Sequence, residues 1–232
     1  MCGRFVRKCS LDEIKDEFDV FEIQWAWEPS YNIAPGQNIA GIITDGKNIL
    51  TTFRWGLIPW WAKEESIGYK MINARAETLA EKKSFSKAFR TRRCLIVADG
   101  FYEWRKVNNK KFPVYIHLRS GKPFGFGGLY DSWKAPDGRT ITSCTIITTE
   151  PNDVVRPLHN RMPVIIQRQD RSLWLDRAVQ EPAELMPLLH PYASSEMEAY
   201  DVSLQVNSPK FNRPENIKRI PRPEDIKQDL FK

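Results

Sequence analysis

The residue with the most distinctive chemistry is Cys2, which directly follows the initiator methionine. Because Cys2 is small, we expect an aminopeptidase to remove Met1 and leave a chain that begins with cysteine. The free α-amine and the thiol have reference pKa values of about 8 and about 8.5, so both are partly reactive near neutral pH. Such an amine condenses with an aldehyde to a Schiff base, and the adjacent thiol can close on the imine carbon to form a thiazolidine. Taken alone, a cysteine at this position more often has no chemical role. A reactive role for Cys2 therefore depends on what the other residues supply.

A carboxylate lies in an aromatic segment, Phe101-Tyr102-Glu103-Trp104. In a strand, Phe101 and Glu103 share one face, and Tyr102 and Trp104 share the other. A carboxylate beside an aromatic side chain is poorly solvated, which raises its pKa toward the range of general acid–base catalysis. A surface glutamate, or an ion pair with Arg105, is an equally good interpretation of the sequence.

Two further segments carry polar groups suited to a reaction on a phosphorylated substrate. His159 can move a proton near neutral pH, although a hydrogen-bonded loop histidine is the commoner case. Asn73 and Arg75 lie on one face if the backbone is extended. The amide can then orient a hydroxyl, and the arginine can hold a phosphate through two hydrogen bonds. A turn asparagine and an Arg75–Glu77 ion pair are the alternatives.

Trp60 and Trp61 are adjacent and follow Pro59. Neighbouring residues of an extended segment point in opposite directions, so at least one of the two indoles is expected to be exposed. Exposed aromatic side chains near basic residues can stack on nucleobases or wedge into a base step. A protein–protein contact, or a loop folded back on the domain, would explain the pair equally.

Composition limits the class of protein. The 232 residues contain 41% hydrophobic and 12% aromatic residues, which is typical of a globular chain, and the net charge of +6 favours a polyanionic partner. No apolar run approaches the length of about 18 residues that a membrane span needs, and no secretory signal is recognisable. We therefore expect a cytoplasmic protein. We also expect a monomer, which associates with the nucleoid if its polyanionic partner is DNA.

Motifs for metals and cofactors are missing from the sequence. The four cysteines form no CxxC pair, and Cys94 and Cys144 lie in apolar strand-like runs that predict core positions. Walker, GxGxxG, GxSxG, HExxH and EF-hand patterns are also missing. The sequence therefore implies no metal and no cofactor.

The pattern of short strands, short helices and turns predicts one α+β domain around a largely antiparallel, barrel-like sheet with short flanking helices. A capping box at Ser10–Glu13 predicts a helix from Leu11 to Phe18. Further expected elements are a hairpin of Ile39–Thr44 with Ile49–Phe53, strands at Cys94–Ala98, Phe101–Arg105, Phe112–Leu118, Phe124–Tyr130, Ile141–Thr148 and Val164–Ile166, and helices at Asp153–Arg156, Leu173–Leu175 and Ala183–Leu189. The segment after Pro209 is rich in proline and charge, so we expect it either to wrap around the surface or to be loose.

Several of these segments occur in an order that closely resembles the SOS response-associated peptidase (SRAP) family. The resemblance covers residues 1–217 as one domain and leaves 218–232 as a C-terminal tail. The matching segments are Met1-Cys-Gly-Arg-Phe5, Tyr31-Asn-Ile-Ala-Pro35, Trp55-Gly-Leu-Ile-Pro59, Ile72-Asn-Ala-Arg-Ala-Glu77, Ala98-Asp-Gly-Phe-Tyr-Glu-Trp104, His159-Asn-Arg-Met-Pro163 and Val206-Asn207. Each motif alone is weak, whereas the ordered set is specific.

The resemblance implies a covalent crosslink to abasic sites in single-stranded DNA, with the lesion shielded as a thiazolidine at Cys2. It also implies the remaining roles in the site. Glu103 would be the acid–base group, His159 would assist opening of the sugar ring, and Asn73 would orient the sugar and the chain's amino terminus. The implied DNA contacts are Arg4, Arg75, Arg161 and Thr148 on the backbone, with Trp60 and Trp61 as an aromatic wedge beside a single-strand/double-strand junction.

Alternatives from other classes remain open at this stage. An N-terminal-cysteine thiol peptidase or amidohydrolase would use the same Cys2 but needs an amide substrate. A non-covalent reader of single-stranded or modified DNA would not depend on Cys2. Within the crosslinking hypothesis, the imine can also undergo β-elimination, so abasic-site lyase activity is compatible with the motifs. N-terminal autopeptidase activity is compatible with them as well, because it would expose the same Cys2. Arg105 stands where the family often has lysine, which keeps the charge and changes the shape.

Overall fold

The computed structural model describes residues 2–108 and 110–222. Their secondary structure is dominated by short strands that follow one another closely. The strands are β1 (Phe5–Arg7), β2 (Val20–Ile23), β3 (Ser30–Ile33), β4 (Asn38–Thr44), β5 (Asn48–Trp55), β6 (Asn73–Arg75), β7 (Arg93–Ala98), β8 (Gly100–Val107), β9 (Lys110–Leu118), β10 (Phe124–Lys134), β11 (Thr140–Thr149), β12 (Met162–Pro163), β13 (Ile165–Ile166) and β14 (Met197–Asp201).

The helices are short and lie around the sheets. They are α1 (Leu11–Phe18), α2 (Ser86–Thr91), α3 (Arg171–Leu175) and α4 (Pro182–Leu185). The predicted start of α1 is confirmed, because the Ser10 hydroxyl accepts from the Glu13 N–H and the Glu13 carboxylate accepts from the Ser10 N–H, at 3.2 and 2.6 Å. The helix ends at Asp19, whose left-handed backbone (φ 50°) terminates the hydrogen-bond pattern.

Five strands close into a barrel, which confirms the predicted barrel-like, largely antiparallel sheet. Strand β4 pairs with β5 and β7, β7 pairs with β10, and β10 pairs with β11, all antiparallel. A parallel contact of β11 with β5, at Ser143 opposite Arg54, closes the ring. The side chains of β7 and β10 alternate between two apolar clusters, one on each face of the sheet, and Cys94 and Cys144 are fully buried as predicted.

A second sheet carries the chain's amino-terminal segment to the site. Its strand order is β14-β9-β8-β1-β3, and all of its pairings are antiparallel. In this register Phe5 lies opposite Phe101, and the Tyr102 N–H donates to the Arg4 carbonyl at 2.9 Å. Because the two strands run in opposite directions, the residues before Arg4 run alongside the residues that follow Tyr102. This register places Cys2 beside Glu103.

Aromatic side chains join the two sheets. The ring of Phe5 makes edge contacts with Trp55 and Phe126, at centroid distances of 5.2 and 5.8 Å, and Phe126 also contacts Phe101. All four residues are almost completely buried. Edge-to-face pairs of this kind contribute about 0.5–1.5 kcal/mol each beyond their buried area. The strand that delivers Cys2 is therefore anchored in the core and is not a loose terminus.

The C-terminal region crosses the second sheet as a strap, which we define as residues 203–217. The single amide of Asn32 donates to the carbonyls of Val206, Ser208 and Phe211, at 3.2, 2.9 and 2.7 Å. Beyond the strap, the Ile220 N–H donates to the Asp201 carbonyl at 2.9 Å. Residues 223–232 of the expected tail lie outside the described residues.

One predicted helix is wrong. Residues Asp153–Arg156 form consecutive turns, in which the Asn152 side chain accepts hydrogen bonds from the N–H groups of Val154 and Val155 at 3.2 and 3.1 Å. An asparagine that bonds to the backbone two and three residues ahead offers an alternative to helical bonding. Among residues 2–108 and 110–222, no helix is long and apolar enough to cross a membrane.

Candidate active site

The backbone carbonyl of Cys2 is held by the side-chain amide of Asn73. Strand β6 pairs in parallel with β11, with Asn73 opposite Ile146, and the Asn73 Nδ2 donates to the Cys2 carbonyl at 2.8 Å. The Asn73 Oδ1 is buried and accepts no hydrogen bond from the described residues. Because a buried carbonyl oxygen without a donor is costly, this atom is suited to receive a donor from a bound substrate or from an amine.

Glu103 is the buried carboxyl of the site. Its side chain on β8 is only 3% exposed, which confirms the poor solvation predicted from the aromatic segment. Burial raises the pKa of the Glu103 carboxyl above its usual range. Burial and the negative charge of Glu103 together raise the pKa of the Cys2 thiol, which is fully buried. At neutral pH the sulfur is therefore a thiol, with a carboxyl group nearby that can exchange its proton.

His159 lies in the loop after β11 and is oriented by a backbone group. The Arg161 N–H donates to the His159 Nδ1 at 3.0 Å. Burial, together with the positive charges of Lys106 and Arg161, lowers the pKa of His159. The ring is therefore neutral near pH 7. Since Nδ1 accepts a hydrogen bond, the neutral ring carries its proton on Nε2.

Glu103 and His159 line one cavity of about 780 Å³. Its other walls are made by residues for which the sequence indicated no site role: Trp104, Lys106, Lys111, Pro157, Leu158, Asn160 and Asn207. Three of these residues nevertheless stand in the motifs that resemble the family. Trp104 follows Glu103, Asn160 follows His159, and Asn207 belongs to the Val206-Asn207 segment. The two lysines are brought together only by the register of the β8–β9 hairpin.

The arginines expected at DNA phosphates differ in their availability. Arg75 is exposed at the end of β6. The Arg4 Nη1 is already bonded to Asn32 Oδ1 and to the Val206 carbonyl, at 2.7 and 2.8 Å, so this nitrogen ties the amino-terminal segment to the strap. Because the Arg4 Nε is buried, only Nη2 of this side chain is left for a ligand.

Arg161 is paired with a carboxylate. Its guanidinium forms two hydrogen bonds with the Glu77 carboxylate, at 2.7 and 2.9 Å, and the pKa of Glu77 is lowered by these bonds. Glu77 therefore pairs with Arg161, whereas the sequence pointed to Arg75. Two parallel N–H···O bonds have the geometry with which arginine also holds a phosphate. A phosphate would have to replace Glu77.

Thr148, which is expected to contact the DNA backbone, is a buried residue of β11. The side chain is fully buried, and its hydroxyl donates to the Ala74 carbonyl at 3.4 Å. Its own carbonyl accepts from the Arg161 Nη2 at 2.6 Å. Residue Thr148 lies inside the β11–β6 pairing, opposite Arg75, so the strand context buries it. The Thr148 carbonyl thus supports the Arg161 side chain, and the contact of Thr148 with the DNA backbone stays a prediction.

Trp60 is the exposed member of the tryptophan pair, with 56% of its surface accessible. The prediction that at least one indole is exposed is confirmed. The backbone N–H of Trp60 donates to the Asp131 carboxylate at 2.9 Å, and this bond attaches the loop to β10. Lys87 lies 5.5 Å from the centre of the Trp60 ring, and Lys83 lies at the same distance from Trp61. The pair is thus a basic, aromatic surface on a fixed loop.

The chain is similar to a known family and to several curated proteins. Residues 1–209 match the family model described as SOS response associated peptidase (SRAP). The abasic site processing proteins YoqW and YoaM of Bacillus subtilis (strain 168) are 51% and 50% identical to the chain, over 94% and 93% of its length and 99% and 96% of theirs. The abasic site processing protein HMCES of Xenopus tropicalis is 30% identical over 95% of the chain and 78% of its own length.

Solved structures share the fold. A crystal structure of a protein from Bacteroides thetaiotaomicron superposes with a TM-score of 0.86 at 26% identity, and it covers 95% of this chain and 100% of its own. A second, from Bordetella bronchiseptica, has a TM-score of 0.76 at 25% identity and covers 88% of this chain and 100% of its own. The chain therefore belongs to the SOS response associated peptidase family.

Proposed function

We propose that this protein processes abasic sites in single-stranded DNA by forming a covalent crosslink through Cys2. The observation that carries the proposal is the placement of Cys2 beside the buried Glu103, with its carbonyl held by Asn73. The relatives named abasic site processing proteins support the choice of substrate. An abasic site supplies the aldehyde that an N-terminal cysteine can capture.

The reaction begins at nitrogen. After removal of Met1, the free α-amine of Cys2 attacks the C1′ aldehyde of the ring-opened sugar and forms a carbinolamine. Loss of one water gives the imine. The raised pKa of the thiol favours this order, because the sulfur is protonated at neutral pH and is the weaker nucleophile at the start.

The second step closes the ring. The Cys2 sulfur adds to the carbon of the protonated imine, the C=N bond becomes a C–N single bond to a neutral ring nitrogen, and the thiol proton passes to the Glu103 carboxylate. The product is a five-membered thiazolidine. The net reaction joins protein and DNA with release of one water, so it requires no oxidant, reductant or metal. Holding the aldehyde beside the amine and the thiol replaces a slow encounter with a positioned reaction.

Glu103 and His159 divide the proton transfers. A carboxyl with a raised pKa can protonate the leaving hydroxyl of the carbinolamine, and the resulting carboxylate can accept the thiol proton during ring closure. His159, neutral with its proton on Nε2, donates a hydrogen bond to the sugar ring oxygen as the ring opens. The Asn73 Oδ1, buried without a donor, accepts from the Cys2 amine or from a sugar hydroxyl.

The surface around the cavity suits a single strand that meets a duplex. Arg75 and Arg161 hold phosphates next to the lesion, and Arg4 contributes through its Nη2. Trp60, exposed beside Lys87, stacks on the first base pair of the flanking duplex, and Trp61 supports it. The missing base lowers the cost of drawing the sugar out of the stack. We propose that the protein acts as a monomer and requires neither a metal nor a cofactor.

Two other activities follow from the same groups. The imine can lose the 3′ phosphate by β-elimination, which would make the protein a lyase. Cys2 and Glu103 could also release residues that precede Cys2, as an autopeptidase. Thiazolidine closure competes with β-elimination for one intermediate, so the position of Glu103 beside the sulfur favours the crosslink.

The experiment mixes purified protein with a labelled single-stranded oligonucleotide that carries one abasic site made by uracil removal. Intact-mass spectrometry first establishes that the protein begins at Cys2. We expect a band that survives heat and denaturant, with the summed mass of protein and DNA less one water. A shortened DNA product in its place would indicate lyase activity.

Matched variants separate the steps. Cys2→Ala keeps the α-amine, so we expect it to lose the stable band but to form one when borohydride reduces the imine. Cys9→Ala removes another buried thiol and should crosslink like wild type. If protein that begins at Cys2 gives no stable band, or if Cys2→Ala gives the same band without reduction, the proposal is wrong. Unaltered binding without crosslinking would favour the non-covalent reader.

A further inference from the structure

The cavity extends beyond the groups that the crosslinking chemistry uses. Glu103 and His159 occupy part of its wall, and Trp104, Lys106 and Lys111 on the β8–β9 hairpin occupy another part. The volume of about 780 Å³ exceeds what one deoxyribose requires. The remaining space is large enough for another part of the DNA strand.

The register of the hairpin places two like charges against each other. Lys106 lies directly opposite Lys111, and Trp104 lies directly opposite Pro113, two residues further from the tip. Side chains directly opposite in an antiparallel pair point to the same face, and so do residues two apart along a strand. Trp104, Lys106 and Lys111 therefore form one patch.

Such a pair destabilises a hairpin unless something compensates for it. Like charges directly opposite are unfavourable. Within the described ranges, neither lysine takes part in an ion pair, and Glu103 is the one acidic residue that lines the cavity. The charge of Lys106 is felt at His159, whose pKa it helps to lower after the larger effect of burial. A local cost of this kind, at the wall of a functional cavity, indicates a missing anion.

The aromatic side of the patch is fixed. The Trp104 indole N–H donates to Asn207 Oδ1 at 2.7 Å, so the strap determines the orientation of the ring. The strap is in turn bonded to Arg4 through the Val206 carbonyl. A fixed indole next to two ammonium groups combines a stacking surface with a phosphate site, which is the combination that binds an unpaired nucleotide.

We propose that Lys106 and Lys111 hold a backbone phosphate of the single strand next to the lesion, with the adjoining nucleotide seated against Trp104. This inference rests on the proposed function and adds a defined subsite to it. The phosphate lies between the two ammonium groups and offsets their repulsion. Asn207 is a positioning residue, since it acts through the Trp104 indole.

The test measures binding without covalent chemistry. Fluorescence anisotropy with a single-stranded oligonucleotide carrying one tetrahydrofuran abasic analogue, which has no aldehyde, separates this subsite from the crosslinking reaction. We expect Lys106→Ala and Lys111→Ala each to weaken binding about threefold or more. The double variant should reduce the slope of log K against log salt by about 0.7, as for one lost phosphate contact on a single strand.

Lys110→Ala is the matched control. Lys110 is on the same hairpin, is exposed and carries the same charge, but it lies opposite Val107 and points to the other face. We expect its binding to stay within about twofold of wild type. If Lys110→Ala weakens binding as much as Lys106→Ala, or if none of the three changes it, the subsite does not exist.

A neutral linkage locates the phosphate. Oligonucleotides with a single methylphosphonate at successive positions around the analogue are titrated with wild type and with the double lysine variant. We expect one position where the neutral linkage weakens wild type and leaves the double variant unchanged. Losses that simply add at every position would overturn the inference. Failure of wild type to bind the analogue at all would instead count against the proposed function.

Discussion

The backbone N–H of Arg161 donates a hydrogen bond to Nδ1 of His159 over 3.0 Å. A backbone N–H can only donate, so Nδ1 is the unprotonated nitrogen of a neutral ring and Nε2 carries the hydrogen. Protonation of Nδ1 would place two hydrogens against each other, and burial also disfavours the imidazolium. One peptide group thus leaves His159 with a hydrogen-bond donor at Nε2 and with the Nδ1 lone pair already in use.

This relationship predicts a tautomer that can be observed directly. In ¹⁵N spectra of imidazole-labelled protein at pH 7, we expect His159 to show a protonated Nε2 and an unprotonated Nδ1. Because the pKa is lowered, the neutral form should persist below the usual histidine pKa of about 6.5. Spectra of His159→Gln identify the signal. An imidazolium at pH 7, or a proton on Nδ1, would contradict the assignment.

A donor role also predicts how His159 variants rank. Glutamine keeps an N–H donor of similar reach, whereas alanine removes it. We expect His159→Gln to crosslink at least about tenfold faster than His159→Ala, whose rate should fall by about 10²-fold relative to wild type. Single-turnover rates on denaturing gels measure this ranking. Equal rates for the two variants would show that the donor is not what matters.

Glu103→Gln separates catalysis from stability. The variant keeps the shape and removes the proton exchange, so we expect the crosslinking rate to fall by about 10²–10⁴-fold. At high pH, by contrast, the variant should be more stable to unfolding than wild type. Because burial raises the pKa of Glu103, the folded state binds the proton more tightly than the unfolded state, whose pKa is about 4.3.

The sign of the pH effect follows from this difference. The stability that protonated Glu103 contributes is present below the unfolded pKa and is lost as the pH rises through the raised folded pKa. Wild type should therefore lose melting temperature relative to Glu103→Gln as the pH rises from about 4.3 towards the alkaline range. Thermal unfolding of both proteins across this range provides the measurement. If the melting temperatures of the two proteins changed in parallel with pH, burial would not raise the pKa of the Glu103 carboxyl.

The Glu77–Arg161 pair predicts a gain of binding on mutation. The two hydrogen bonds occupy the guanidinium that a phosphate would need, and the Glu77 side chain is 53% exposed. We expect Glu77→Gln to bind the tetrahydrofuran analogue about two- to fivefold more tightly at low salt, since an exposed ion pair contributes only about 0–1 kcal/mol. Arg161→Lys should bind more weakly, because lysine cannot form two parallel bonds. Weaker binding by Glu77→Gln would contradict the competition.

Local patterns predicted much of the fold. The helix Leu11–Phe18 follows from a capping box and apolar spacing within eight residues, and the β4–β5 hairpin follows from two apolar runs around Asp45-Gly46. Burial of Glu103 was one of two equally good interpretations of its alternation with aromatic neighbours, and the structure decides for burial. In each case the interactions that decide the structure lie close together in sequence.

The features that the sequence did not reveal depend on contacts between distant residues. Glu77 and Arg161 are 84 residues apart, and only the folded chain indicates that this pair forms and not the one with Arg75. Thr148 is buried because β6 pairs with β11, an arrangement that no local pattern specifies. The lysine pair depends on the register of the hairpin, and the Trp104–Asn207 bond depends on where the strap lies.

The segment that leads to Trp60 contains a close backbone contact between Gly56 and Gly68, which predicts how a glycine variant changes stability. Gly56 has φ +126°, and a Cβ on it would lie 2.6 Å from the Gly68 carbonyl oxygen. Alanine at this position therefore combines backbone strain of about 1–3 kcal/mol with a clash against main chain. Gly46, at φ +77°, has no atom within 4 Å of its Cβ position, so Gly46→Ala should cost only about 1–2 kcal/mol.

Thermal unfolding of the two variants distinguishes strain from clash. For a chain of this size, each kcal/mol lowers Tm by about 2–4 °C, so we expect Gly56→Ala to melt clearly below Gly46→Ala. Movement of the Gly56–Gly68 contact would also shift the segment that leads to Trp60, so binding to a junction oligonucleotide should weaken in Gly56→Ala alone. Equal melting temperatures would show that the loop can relax, and the indole would then not depend on this contact for its position.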